Sequence, residues 1–263
     1  MDLGLKDKVI IVTGGSKGIG EGIVSMLVEE SAIPVIIGRN KESISALIEK
    51  FRKTGNNIGY AFAELKVPEQ CEQAVKDVID EYGRIDGLVN NAGVNDGVGL
   101  ENGNHTDFIE SINRNLTHYY IMAQLVLPEL KRSKGSIVNI GSKVAVTGQG
   151  GTSGYAAANG GRNALTREWA AELLPYSIRV NCVVVAECFT PLYDKWIQTF
   201  ENPKEKLISI TNNIPFEKRM TTTAEIASTV VFLLSDRSSH TTGQIIFVDG
   251  GYTHLDRALE DKV

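Results

Sequence analysis

Cysteine, proline and net positive charge are all scarce in this chain of 263 residues, and each scarcity excludes a class of protein. The three cysteines, Cys71, Cys182 and Cys188, have neither metal-ligand spacing nor an even count, so no disulfide framework is expected and no metal is assigned. With no leader-like segment ahead of them, they point to a reducing, cytoplasmic setting. Seven prolines are too few and too scattered to mark a linker, and no repeat or low-complexity tract divides the chain. Acidic residues outnumber basic ones, 32 to 27, for a net charge of −5. A nucleic-acid partner needs a basic face for phosphate contacts, so none is expected. The cluster Lys131-Arg132-Ser133-Lys134 before Gly135 reads as a cationic helix end with a glycine stop. No run approaches the roughly 20 apolar residues that cross a bilayer, so no membrane partner is expected either.

What is present is an alternation. Short apolar runs, Val9 to Thr13, Val35 to Gly38, Ile58 to Ala63, Ile85 to Asn90, Ser136 to Ile140, Ile178 to Val184 and Gln244 to Val248, alternate with longer amphipathic stretches such as Cys71 to Tyr82 and Thr106 to Arg132. Continuous apolar runs of strand length suit a sheet covered on both faces, and the stretches between them suit right-handed crossover helices. The pattern predicts an α/β fold, a doubly wound, seven-stranded parallel sheet of the Rossmann type, as a single domain over residues 1–263. Ligands of such sheets bind beyond the carboxyl ends of the strands.

Candidate chemistry stands at those ends. Thr13-Gly-Gly-Ser-Lys-Gly-Ile-Gly20 follows the first strand and leads into a helical pattern from Glu21. Gly14, Gly18 and Gly20 permit a tight turn, close approach of a pyrophosphate to backbone N–H groups, and close packing of helix on strand. After the second strand an acid would bind the ribose 2′-hydroxyl of NAD, whereas an arginine accepts the 2′-phosphate of NADP. Gly38-Arg39-Asn40 stands there, with Lys17 as a second cation, which favours NADP and leaves NAD possible.

The TGxxxGxG spacing from Thr13, Asn90-Asn91-Ala92-Gly93 after the fourth strand, Ser142 after the fifth and Tyr155 thirteen residues on resemble the short-chain dehydrogenase/reductase family, over about Leu5 to Tyr252. The single-domain length is similar to that of its oxidoreductase branch. The resemblance implies an NAD(P)-dependent enzyme that transfers hydride between a nicotinamide and a small-molecule alcohol or sugar. An acid/base group and an oxygen-binding donor must then converge on one oxygen, Tyr155 as the base and Ser142 as its partner. Asn115, in Asn113-Arg-Asn-Leu116, matches the family asparagine that polarises a water chain to a lysine. The implied cofactor contacts are Gly14, Ser16, Lys17, Gly18, Ile19 and Gly20 in the glycine loop and Arg39, Glu64 and Leu65 after the second and third strands. Asn91, Ala92 and Gly93, Tyr155 and Asn159, and Cys188 and Thr190 complete them. Similar proteins are mostly homotetramers, which is the assembly implied here.

The family's lysine is replaced by Asn159, four residues after Tyr155 and on the same helix face. Tyrosine has an ordinary pKa near 10, so a base at neutral pH needs a shift of about three units, roughly 4 kcal/mol. A cation about 4 Å away at an effective dielectric near 20 supplies that much, and a neutral amide does not. Lys143, beside Ser142, or the oxidised nicotinamide itself could compensate. Two classes stay open: a working or slowed dehydrogenase, and a redox-silent NAD(P)-binding sensor or scaffold.

After the sixth strand, Val185-Ala186 replaces the family's Pro-Gly, while Thr190 is retained. This departure, with Pro191-Leu-Tyr-Asp-Lys-Trp-Ile197, is similar to a subgroup of sugar dehydrogenases around L-fucose dehydrogenase. Residues 191–220 are expected to form a substrate lid, with Glu187 and Gln149 binding sugar hydroxyls and Trp196 stacking on a sugar face. The tail, 252–263, is too charged from His254 onward to be core.

Losing about 2 to 4 kcal/mol of lysine charge costs roughly 30- to 1,000-fold in rate. On this reading activity climbs toward alkaline pH, and Asn159→Lys raises initial rates at neutral pH. A flat pH–rate profile with no gain from that substitution excludes a slowed dehydrogenase.

Overall fold

Burial on both faces is what makes these apolar runs strands. In the computed structural model, which describes residues 2–56 and 58–255, every residue of β1 (Val9–Thr13) and of β4 (Gly87–Asn90) is buried. The other strands are β2 (Ile33–Gly38), β3 (Gly59–Phe62), β5 (Ser136–Ser142), β6 (Arg179–Val185) and β7 (Ile245–Val248). All seven pair in parallel, in the order β3-β2-β1-β4-β5-β6-β7. The expected doubly wound sheet is therefore present. The tail expected over 252–263 lies outside the described residues from position 256 onward.

The helices that connect the strands are α1 (Gly18–Glu29), α2 (Lys41–Arg52), α3 (Pro68–Tyr82), α4 (His105–Ile112), α5 (His118–Ser133), α6 (Ser153–Glu172), α7 (Pro191–Ile197), α8 (Pro203–Asn212) and α9 (Thr223–Leu234). Period-two alternation divides the strand side chains between two cores. Ile10, Val12, Ile36, Val138 and Val183 pack with α1, α2 and α9; Val9, Ile11, Val35, Leu88 and Val180 pack with α3, α5 and α6. Caps fix where helices begin: Asn40 and Asn104 accept from the amides of Ser43 and Asp107, and Thr222 with Glu225 forms a capping box for α9.

The helical stretch expected over Thr106 to Arg132 is present, with a π turn at Asn113–Thr117 between α4 and α5. The cause is local competition. Asn115 Nδ2 donates to the Ser111 carbonyl at 3.1 Å, the acceptor that an α-helical Asn115 amide would use. The wider turn faces the Asn115 carbonyl toward α6, where it accepts from a side chain of that helix.

The strand order reverses between β1 and β4, which opens a crevice at their carboxyl ends. Thr13 holds its floor. Its hydroxyl donates to the Val89 carbonyl and accepts from the amides of Asn91, at 2.9 Å, and Ala92, at 3.2 Å. Thr13→Val removes that acceptor at no gain in space, leaving two amides unpaired, and is expected to lower unfolding free energy by about 2 kcal/mol in urea denaturation. An unchanged denaturation midpoint would contradict this role.

Candidate active site

The glycine loop lies against the crevice floor. Asn91 Nδ2 donates to the Thr13 and Gly14 carbonyls at 2.9 and 3.3 Å, so the asparagine works by bracing the loop. A Cβ on Gly20 would stand 2.4 Å from the Gly14 carbonyl oxygen, which permits glycine alone. Lys17, the residue before α1, makes no side-chain cap, so the first-turn amides of a 12-residue helix remain open to an anion. A pyrophosphate fits that donor set. The Thr190 methyl would lie 3.2 Å from a Cβ at Gly18, and the Thr190 hydroxyl caps α7 by accepting from Tyr193. Ser16 shares a hydrogen bond with Ser43, and Ile19 packs against the core. The side chains of Leu65 and Cys188 are in the core as well, which leaves only their backbone for a cofactor.

Arg39 is 74% exposed at its side chain, and its guanidinium donates to Glu64 at 2.7 Å. Two of the implied cofactor contacts thus meet as a pair. The Glu64 carboxyl, although partial burial raises it, is held below its ordinary value by Arg39 and the Lys66 amide.

Ser142 is the last residue of β5 and Tyr155 lies in the first turn of α6, which packs on β5 and on the turn at 143–145, so both face the carboxyl end of the sheet. Asn159 is fully buried one turn on; its Nδ2 donates to the Tyr155 carbonyl at 2.9 Å and its Oδ1 accepts from Arg162 Nη1 at 3.0 Å. Arg162 is 3% exposed. Its Nη1 also donates to the Ile140 carbonyl at 3.0 Å, its Nε to the Asn115 carbonyl at 2.8 Å, and its Nη2 to that same carbonyl. The guanidinium lies 4.3 Å from the centroid of the Tyr119 ring and 6.0 Å from that of Tyr155. The sequence reading passed over Arg162. Its signal was available: a charged residue seven positions after Tyr155, hence on the same helical face.

Asn115 acts through its backbone, since its Oδ1 accepts from the Val94 amide at 2.8 Å. Lys143 does not make good the missing lysine: its ammonium pairs with Glu187 and lies 3.8 Å from the centroid of the Tyr252 ring, so its charge is already committed. Glu187 is correspondingly occupied on one oxygen. Beside it the buried Tyr193 hydroxyl has no hydrogen-bond partner among the described residues, and burial followed by the Glu187 charge pushes its ionisation upward. Trp196 meets Tyr193 and Phe200 edge-on at 5.1 and 5.0 Å and is 45% exposed. Gln149 sits in the exposed loop ahead of α6. The segment expected as a lid consists of α7, α8 and the turns after them.

A family model described as short chain dehydrogenase matches residues 8–200. The chain is 33% identical over 248 residues to the 3-oxoacyl-[acyl-carrier-protein] reductase of Thermotoga maritima, covering 94% of this chain and 98% of that protein. It is 33% identical over 247 residues to the L-fucose dehydrogenase of Oryctolagus cuniculus, covering 93% of this chain and 84% of that one. The crystal structure of Cj0485 dehydrogenase is similar with a TM-score of 0.92 and 48% identity, covering 98% of each chain. Among the described residues, no helix is long and apolar enough to cross a membrane and no cluster of side chains could hold a metal ion.

His118 lies against this site with its Nε2 near the Arg114 carbonyl and its Nδ1 unpartnered among the described residues. Burial first and the Arg162 charge second bring its pKa down from 6.5 to about 3. A folded-state value below the unfolded one means that the unfolded chain binds the extra proton between those limits. The neutral ring's contribution is therefore complete above pH 6.5 and is lost as pH falls toward about 3. His118→Asn is expected to flatten the acid side of a plot of melting temperature against pH relative to the parent; parallel curves would contradict a buried neutral histidine.

Proposed function

The chain belongs to the short chain dehydrogenase family of NAD(P)-dependent oxidoreductases, and from that premise we propose that it oxidises a secondary or hemiacetal hydroxyl of a sugar such as L-fucose. The observation that carries the sugar reading is the pair of Glu187 with Lys143, the residue after Ser142, bordered by Tyr252 and Tyr193, with Trp196 against Tyr193. A sugar presents hydroxyl edges and C–H faces, and charged hydrogen-bonding groups next to aromatic rings suit both. The L-fucose dehydrogenase relative supports the same class of substrate. A redox-silent role draws no support from the relatives.

When bound, the nicotinamide accepts or returns hydride. Tyr155 takes the hydroxyl proton at its phenolic oxygen, and Ser142 donates a hydrogen bond to that substrate oxygen as it becomes a carbonyl. Glu187 and Trp196 orient the ring, Gln149 reaches it from the loop ahead of α6, and residues 191–220 cover it. The open amides of α1, with Gly14, Ser16, Lys17, Gly18, Ile19 and Gly20, hold the pyrophosphate; Asn91, Ala92 and Gly93, the Cys188 backbone and Thr190 border the nicotinamide side. NADP is favoured over NAD because the exposed Arg39–Glu64 pair is weak enough for a 2′-phosphate to displace the carboxylate. Three buried, unpaired thiols support a cytoplasmic setting, and the exposed Ile109 and Tyr120 on α4 and α5 support self-association as a homotetramer.

Initial-rate assays with NADP and NAD against L-fucose, other aldoses and hydroxyacyl thioesters test this reading. The expected result is NADP-linked oxidation of an aldose, lowered about a thousandfold in Tyr155→Phe. Arg39→Ala is expected to raise KM for NADP about tenfold more than KM for NAD. Turnover confined to acyl thioesters, or cofactor binding without turnover of any of these compounds, overturns the sugar assignment.

A further inference from the structure

We propose that Arg162 is a positioning residue that supplies, from the next turn of α6, the positive charge missing at Asn159, and so holds Tyr155 ready to accept a proton. This rests on the dehydrogenase reading of the same site.

A buried cation is costly unless something answers its charge. No carboxylate of the described residues forms a salt bridge with Arg162. It is held instead by the Asn115 and Ile140 carbonyls, the Asn159 amide oxygen and the face of Tyr119, all neutral. Its charge is thus left without an ionic partner, and the Tyr155 ring centroid lies 6.0 Å from it. The backbone makes room for it: a Cβ on Gly93 would stand 2.9 Å from Arg162 Nη2. Two of its donors converge on the Asn115 carbonyl that the π turn faces toward α6, so the asparagine acts on a guanidinium directly rather than through water to a lysine.

Asn159 then becomes intelligible as a partner of Arg162. An ammonium at that position would lie against Nη1, where the amide oxygen now accepts at 3.0 Å. Of the other charged groups near the start of α6, Asp96 accepts from Ser111 and is answered by Arg114. On α5, burial keeps His118 neutral and pushes the Tyr119 hydroxyl up; on β6, burial pushes the Cys182 thiol up to about 12. Beyond β5, Lys143 and Glu187 answer each other.

An unpaired charge about 6 to 9 Å from a phenolate, at an effective dielectric near 20, moves its ionisation by about one to two pH units. The test is a pH titration of the free protein labelled with carbon-13 at tyrosine Cζ, with Tyr155→Phe assigning the resonance, alongside kcat/KM profiles. Arg162→Met is expected to move the Tyr155 midpoint and the acidic limb of kcat/KM about one to two units toward alkaline pH. Arg162→Lys recovers part of that shift, and the double variant Asn159→Lys with Arg162→Met recovers most of it. Asn159→Lys alone gives no gain at neutral pH, contrary to what the sequence by itself leads one to expect. Should Arg162→Met fail to fold, Arg162→Gln keeps hydrogen bonding without charge and reads the same shift. A folded neutral variant with an unmoved Tyr155 midpoint overturns the proposal, as does a neutral-pH gain from Asn159→Lys with Arg162 intact. The titration needs no substrate, so absence of turnover in every assay counts against the dehydrogenase reading and leaves this one to be judged on the midpoints.

Discussion

A guanidinium sealed among α5, α6 and the end of β5, with carbonyl oxygens for partners, is the interaction on which the candidate site depends. Arg162 joins the Asn115 carbonyl, the Ile140 carbonyl and the Asn159 side chain at one point. Each belongs to a different part of the site: the π turn, the strand that ends in Ser142 and the helix that carries Tyr155. Charge-assisted hydrogen bonds in a buried setting are directional and strong, so one side chain fixes the relative placement of three elements. The same burial keeps His118 neutral, because a second cation in that space would meet the first at low dielectric.

The sheet contributes the other constraint. Reversal of strand order beside β1 leaves a crevice, and the Thr13 hydroxyl and Asn91 amide brace the loops on its two sides. The crevice is positioned by groups that are consumed in holding it. The backbone amides of Asn91 and Ala92 are likewise already bonded to Thr13, so these residues shape the loop beside the crevice. Across the crevice, Glu187 is drawn to Lys143, and the aromatic edges of Tyr193, Trp196 and Phe200 stack along α7 and the turn after it.

Most of the fold was legible before any coordinates. Seven strands were expected and seven are found among the described residues, with ends displaced by a few residues, because continuous burial on both faces requires continuous apolar sequence. What was not expected is the π turn inside the long helical stretch. An asparagine that takes its own helix's carbonyl leaves no trace in hydrophobic periodicity. Spacing pointed to Ser142, Tyr155, Asn115 and the glycine loop as candidates, and all four stand at the carboxyl end of the sheet. Spacing also puts Arg162 on the Tyr155 face of α6, but its burial and its carbonyl partners depend on α5 and β5, which spacing does not show.

By itself the sequence determined the class of fold, the order of the motifs and the absence of lysine at position 159. These depend on local pattern, on burial and on residue identity, all of which are written along the chain. Only the tertiary structure decided what that absence amounts to. Whether a charge acts on Tyr155 depends on distance and on which partners neutralise it, and both are set by side chains from α5, α6, β5 and β6 meeting in space. Lys143, near in sequence, is committed to Glu187. Arg162, one turn further along the helix, has carbonyls for company and faces the tyrosine.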